Sequence, residues 1–340
     1  MNLVVPRKCM NDNNFTLIIT GAGASKELGI PCGKEFLWGM ANRLCTGLHD
    51  ANKKDRKKGK YEDTINQFLK YKKVNMDEAS NNVMSDSERY SIAMINDFRE
   101  RFIQYIKDSE FSTIDYFLQK EELHFKEIGK FILAFLLIGY EHHCKENKLH
   151  YGENWLKSFI DNNLSLLLTK GRDLGSVKFI TFNYDRTIEH FSHLFLTERC
   201  GRNVIESKKT IDCELEVIHV YDKIGSLPWQ KGNAKIEFGA RNDNSEFVDY
   251  AIKGVHLIGD RVSNETQERI RQLSSNAKRI YLIGFGYDSK NMEILGLPNH
   301  TETIGTSFGM DAKRRNELKG DIKFVDMKCE EFVKSSNFEI

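Results

Sequence analysis

Four short stretches carry residue types and spacings that can do chemistry. The first, "TGAGASKELGIP" (Thr20–Pro31), follows the apolar run "FTLII". A glycine-rich turn between strand and helix lets backbone N–H groups approach a diphosphate without Cβ clashes, and the helix start adds favourable partial charge. Gly21, Ala22 and Gly23 would form that turn, and Ser25 can donate to an oxygen or cap the helix. The plain alternative is a tight strand–helix turn with no ligand. In the second, "FITFNYDRTIEHF", Thr181, Asn183 and Asp185 come at the end of an apolar run. The amide can hold a sugar hydroxyl or an attacking water, and the carboxylate can stabilise developing positive charge. Equally, either residue can cap the helix that "RTIEHF" starts. The third, "VIHVYDKIGSLPW", offers His219, and an imidazole suits general-base work near neutral pH. Its alternative is a hydrogen-bonded histidine within a sheet, with Tyr221 or a water-mediated group in the pocket. The fourth, "RIYLIGFGYDSKN", ends a strand in Gly284 and Gly286 with Ser289 nearby, and by itself is also compatible with an ordinary turn.

Something must hold these stretches together. "FTLIIT" (Phe15–Thr20) reads as a buried strand. After a long gap, short apolar strands return at Val177–Asn183, Leu215–Tyr221, Gly254–Gly259, Arg279–Gly286 and Ile322–Met327. Helical pieces such as Asn264–Ala277 separate several of them. Short apolar strands alternating with helices predict an α/β fold with a Rossmann-like, doubly wound parallel sheet. In such sheets ligands sit at the carboxyl ends of the strands, where all four stretches fall.

The gap reads as helices, with apolar residues at three- and four-residue intervals. The expected division is a core formed by residues 1–33 and 171–340, with a helical insertion over 34–170 after the first strand. Its run "FILAFLLIGY" (Phe131–Tyr140) is about half the length a spanning helix needs, so it reads as a buried helix. Adjacent positions on a helix diverge around its axis, so His142 and His143 cannot readily chelate one ion. The basic run Lys53–Lys60 reads as a solvated loop, with nucleic-acid contact the lesser alternative.

The first stretch resembles the sirtuin family of NAD-consuming enzymes, in which a similar small-residue loop precedes "GIP". Sirtuin deacylases continue with aspartate-phenylalanine-arginine, whereas this chain has "CGKEF" (Cys32–Phe36). That form is closer to the sirtuin-like domains of bacterial antiphage defence proteins. Thr181, Asn183 and Asp185 match the family's T-x-N-x-D motif, whose asparagine and aspartate face the nicotinamide side. His219 is offset by two residues from a strict histidine-glycine pair, a step that keeps it on the same strand face. The resemblance implies cofactor contacts from Gly21, Ala22, Gly23, Ser25, Pro31, Thr181, Gly284, Gly286 and Ser289, and catalytic roles for Asn183, Asp185 and His219. "STIDYFLQ" (Ser112–Gln119) resembles a further patch of the defence proteins, where Asp115 either reaches the cleft or is a first-turn carboxylate.

The implied activity is NAD hydrolysis to nicotinamide and ADP-ribose, with NAD as substrate and no metal. In phage infection it would deplete cellular NAD, restrained by homo-oligomerisation, a sensor chain or a HerA-like ATPase. A non-catalytic sensor of NAD or a derived nucleotide is the alternative, and a protein deacylase comes third. The seven cysteines include no C-x-x-C pair, which removes the usual structural-zinc signature. A net charge of +1 gives no global field to recruit nucleic acid or an anionic membrane. The first ten residues lack a long apolar core followed by a cleavage site, so a soluble cytoplasmic protein is expected.

Overall fold

A computed structural model describes residues 15–45, 86–108, 114–146, 152–170, 174–232, 235–240, 251–252, 254–256, 262–318 and 321–340. Among the described residues six parallel strands form one sheet: β1 (Thr16–Thr20), β2 (Val177–Thr181), β3 (Val217–His219), β4 (Arg279–Ile283), β5 (Glu302–Thr306) and β6 (Ile322–Val325). Their order is β3-β2-β1-β4-β5-β6, the Rossmann-like arrangement the sequence predicts. Thr20 pairs with Thr181 on one side and Ile283 on the other. The ends of β1, β2 and β4 therefore lie level at the point where the strand order reverses.

Burial on both faces explains why these strands read as apolar runs rather than alternating ones. Ile18, Phe179 and Tyr281 enter one core, while Leu17, Ile19, Ile180 and Leu282 enter the other. The second core is closed by Ile270 and Leu273 of the helix Asn264–Asn276. The first is continuous with the helices that follow β1. These are α1 (Ala22–Lys26), α2 (Gly33–Cys45), α3 (Asp86–Asp108), α4 (Ile114–Lys120), α5 (Leu123–Glu146) and α6 (Trp155–Phe159). In α3, Ile95, Phe98, Phe102 and Ile106 bury one stripe at helical spacing. Phe98 and Phe102 pack with Phe117 of α4 at ring separations of 5.5 and 5.1 Å. Every residue from Phe131 to Ile138 of α5 is buried, so that helix is central to the helical layer. Among the described residues no helix is long and apolar enough to cross a membrane.

Two strand expectations need correction. The segment expected as a strand at Gly254–Gly259 is not one over its described part. Gly254 closes a helical turn, and His256 instead donates its N–H to Tyr221 O at 3.1 Å. Residues 257–259 lie outside the described residues. The strand expected over Leu215–Tyr221 is shorter than its apolar run. A π-helical turn occupies Ile211–Leu215, and Glu216 follows with a φ of +40°. A further strand, β5, has no counterpart among the expected ones, because the threonines and glycine of "ETIGT" conceal its burial. Gly305 is small there because a Cβ would come within 2.1 Å of the Tyr287 hydroxyl.

What comes close to the first glycine loop is another stretch of backbone. Gly21 N–H donates to Ile283 O at 3.2 Å, and Gly23 N–H to Gly284 O at 2.9 Å. A Cβ on Gly23 would lie 2.8 Å from Gly284 O. Gly284 has a φ of +58°, and a Cβ there would sit 2.1 Å from Ala24 N. A Cβ on Gly286, by contrast, would meet nothing within 4 Å. Gly284→Ala is therefore expected to destabilise the fold by about 2–4 kcal/mol, and Gly286→Ala to stay within about 0.5 kcal/mol. Urea unfolding of the two variants checks this; equal stabilities would contradict the close packing.

Candidate functional site

Ser25 lies on α1, immediately after the glycine loop, with 4% of its surface exposed. Its hydroxyl donates to Asp185 Oδ2 at 2.6 Å and accepts from Asn183 Nδ2 at 2.8 Å. The same Nδ2 donates to Gly21 O at 2.9 Å. A backbone carbonyl only accepts, so this contact fixes which way the amide faces. It leaves Asn183 Oδ1 without a protein donor among the described residues. The Asn183 main chain is held as well: its N–H donates to Thr181 Oγ1 at 3.1 Å, and its carbonyl faces His219 Nδ1 at 2.9 Å.

Asp185 does two things at once. One oxygen takes the Ser25 hydroxyl. The other accepts from Thr187 Oγ1 at 2.5 Å and Thr187 N at 3.2 Å, bracing the start of α7 (Thr187–Leu194). The helix-bracing alternative and the site reading therefore share one carboxylate. Next in sequence, Arg186 is completely buried. Its guanidinium contacts both oxygens of Glu141 on α5, at 3.1 and 2.5 Å, and its backbone N–H donates to Glu141 Oε1 at 3.0 Å. It also donates to Ile236 O at 2.6 Å. Burial pushes the Glu141 carboxyl up, and the paired guanidinium opposes that rise. The contact of Arg186 with both oxygens is the geometry of an ionised carboxylate.

His219 ends β3 with its side chain only 5% exposed. Its Nε2 faces Glu189 Oε1 at 3.1 Å, while its Nδ1 faces the Asn183 carbonyl. Lys223 Nζ donates to the same Glu189 oxygen at 2.7 Å. Burial raises the Glu189 carboxyl, but Lys223 and His219 outweigh it and hold the group well below the usual carboxylate range. In this conformation neither ring nitrogen of His219 is open to accept a substrate proton, as the base role assigned to it requires.

The remaining expected residues divide. Gly21, Gly23, Thr181 and Gly284 adjoin the Ser25–Asn183–Asp185 cluster through the contacts above, and Ala22 is exposed on the first loop. Gly286 and Ser289 are exposed beyond β4, and Gly286 O accepts from Arg314. Pro31 instead lines a separate open groove of about 590 Å³ with Lys26, Glu35, Tyr140 and His143. The Asp115 side chain and the Lys53–Lys60 run lie outside the described residues. Cys144 is buried and donates to Leu28 O, while His142 Nδ1 contacts Gly239 O. Among the described residues no cluster of three or more His, Cys, Asp or Glu could hold a metal ion.

Glu141, Arg186, Glu189 and Lys223 were not singled out from the sequence. The available signal was weak: Glu141 directly follows the apolar run "FILAFLLIGY", and Glu189 falls between Ile188 and Phe191 of "RTIEHF", on a helix with its apolar residues at three-residue spacing. Compared with protein-family models and with curated proteins, the chain matches none.

Removing Glu141 would strand the Arg186 charge in the interior. Glu141→Ala is expected to cost about 3–5 kcal/mol, and the double variant Glu141→Met, Arg186→Met to regain most of it. Equilibrium unfolding of the single and double variants tests this. A cost below about 1 kcal/mol for Glu141→Ala would show that the pair does not hold the site.

Proposed function

We propose that the crevice above β1, β2 and β4 binds NAD and hydrolyses its nicotinamide–ribose bond. The observation that carries this reading is the Asn183–Ser25–Asp185 relay. It joins the first glycine loop to the loop after β2 at the carboxyl edge of a parallel sheet, where this class of fold places its ligands. The resemblance of those same residues to sirtuin motifs supplies the identity of the nucleotide.

In this reading the exposed part of the first loop and the end of β4 accommodate the diphosphate side. Asn183 Oδ1 receives a ribose hydroxyl or the attacking water. The Asp185 carboxylate stabilises positive charge that develops on the ribose as the bond breaks. The bonding pair leaves with nicotinamide, water oxygen bonds to the ribose carbon, and the water's proton passes to solvent. Nicotinamide is a good leaving group, so orientation and charge stabilisation suffice without an open histidine base. The wider role we propose, on the resemblance alone, is NAD depletion in antiphage defence, under restraint by self-association or by a sensor or HerA-like ATPase chain.

One observation favours a second reading. His219 has both ring nitrogens against protein acceptors, which also suits a site that binds the nucleotide without cleaving it. Incubation with NAD, with and without an acetyl-lysine peptide, separates the readings. Nicotinamide release without peptide is expected. Binding without release would favour a sensor, and release dependent on peptide would favour a deacylase. Asn183→Ala should lower release about 100- to 1,000-fold while circular dichroism stays native. Undiminished turnover in that variant would overturn the assignment.

A further inference from the structure

Glu189 lies on α7, one helical turn after Asp185, and is 1% exposed. Three nitrogens converge on its Oε1: Lys223 Nζ donates at 2.7 Å, Gln230 Nε2 donates at 3.3 Å, and His219 Nε2 lies at 3.1 Å. Its Oε2 is buried and takes no donor among the described residues. Such a carboxylate is held by the charges around it rather than by a full set of hydrogen bonds. Lys223 supplies one positive charge from a partly exposed position, its side chain 18% accessible.

The chemistry of the His219 contacts is restrictive. Its Nδ1 faces a backbone carbonyl and its Nε2 faces a carboxylate, and both partners only accept. A neutral ring carries one proton, so it would present a bare lone pair to one of these oxygens. Only a ring with a proton on each nitrogen makes both hydrogen bonds.

Resting on the proposed NAD cleavage for its consequence in turnover, we infer that Glu189 is a positioning residue: it holds His219 with both ring nitrogens donating, and His219 thereby fixes the Asn183 peptide. Asn183 Nδ2 then stays on Gly21 and Ser25, and its Oδ1 stays turned to the crevice. His219 serves as a charged clamp in this arrangement. The group that contacts substrate is Asn183.

The test uses the full chain, isotopically labelled, with the His219 ring read by long-range nitrogen–proton NMR near neutral pH and its signals assigned through His219→Gln. The wild type is expected to carry protons on both nitrogens. Glu189→Gln is expected to give a single neutral tautomer with Nδ1–H retained, and Lys223→Met to leave the ring doubly protonated. Nicotinamide release by Glu189→Gln should fall roughly 10- to 100-fold in kcat with KM unchanged. A neutral ring in the wild type, or an unchanged ring state in Glu189→Gln, overturns the inference. The wild-type spectrum decides even where Glu189→Gln does not fold. Should the wild type release no nicotinamide while its ring states follow this pattern, the clamp stands and the hydrolase reading falls.

Discussion

The buried pair between Arg186 and Glu141 ties together parts of the chain that are far apart in sequence. Arg186 directly follows Asp185, and Glu141 belongs to α5 in the helical layer. The guanidinium also reaches Ile236 O and Glu237 O. One side chain thus joins the turn after β2, a central helix and the segment near residue 236. Taking both charges out of water is costly, so such a pair adds little net stability over an apolar replacement of the same shape. Leaving one partner alone is far more costly, and that asymmetry penalises arrangements in which α5 and the Asp185 turn separate. The helical layer is therefore mechanically part of the site, although Glu141 contributes no group to the Asn183–Ser25–Asp185 relay.

The glycine loop follows the same logic on a smaller scale. Sequence reading assigns its small residues to the approach of a phosphate, a use for which glycine is well suited. In the fold, Gly21 and Gly23 first serve the approach of the chain around Gly284. Their N–H groups are committed to Ile283 O and Gly284 O. Gly284 is fixed in turn by Thr306 Oγ1, which accepts its N–H at 2.9 Å, so β5 takes part in setting the loop. A ligand at this edge would meet a loop whose shape is already determined by protein contacts, and less of its binding energy would go into ordering it.

The parts of this architecture legible in the sequence were those governed by local chemistry. β1 and β4 read as strands because burial on both faces requires continuous apolar residues, and α3 showed its buried stripe directly. β5 was hidden because Ile304 is its single large apolar residue, while Gly305 and Thr306 answer to tertiary neighbours, Tyr287 and Gly284. The apolar "GVHLIG" stretch read as a strand, yet a Cβ on Gly254 would lie 2.3 Å from Lys223 O, and its described residues pack beside the turn after β3. At the site, the convergence of Ser25, Asn183 and Asp185 followed from placing both loops at the carboxyl edge. The ionic partners did not follow, because a glutamate in the sequence does not name the cation, distant along the chain, that neutralises it.

Two buried ionic clusters act on the same short turn. Lys223, Glu189 and His219 reach it through the Asn183 carbonyl, and Glu141 reaches it through the Arg186 backbone N–H. Between those two anchors, the Asn183 amide and the Asp185 carboxylate are each tied to Ser25. A turn restrained at both ends and in the middle is suited to holding groups in fixed positions and poorly suited to moving a proton along a chain of side chains. Reactions with a good leaving group and a charged transition state benefit most from such fixed dipoles, because no reorganisation is needed when the charge appears. The cleavage proposed above relies on placement of this kind, with the buried ions acting on geometry and Asn183 Oδ1 left uncommitted among the described residues.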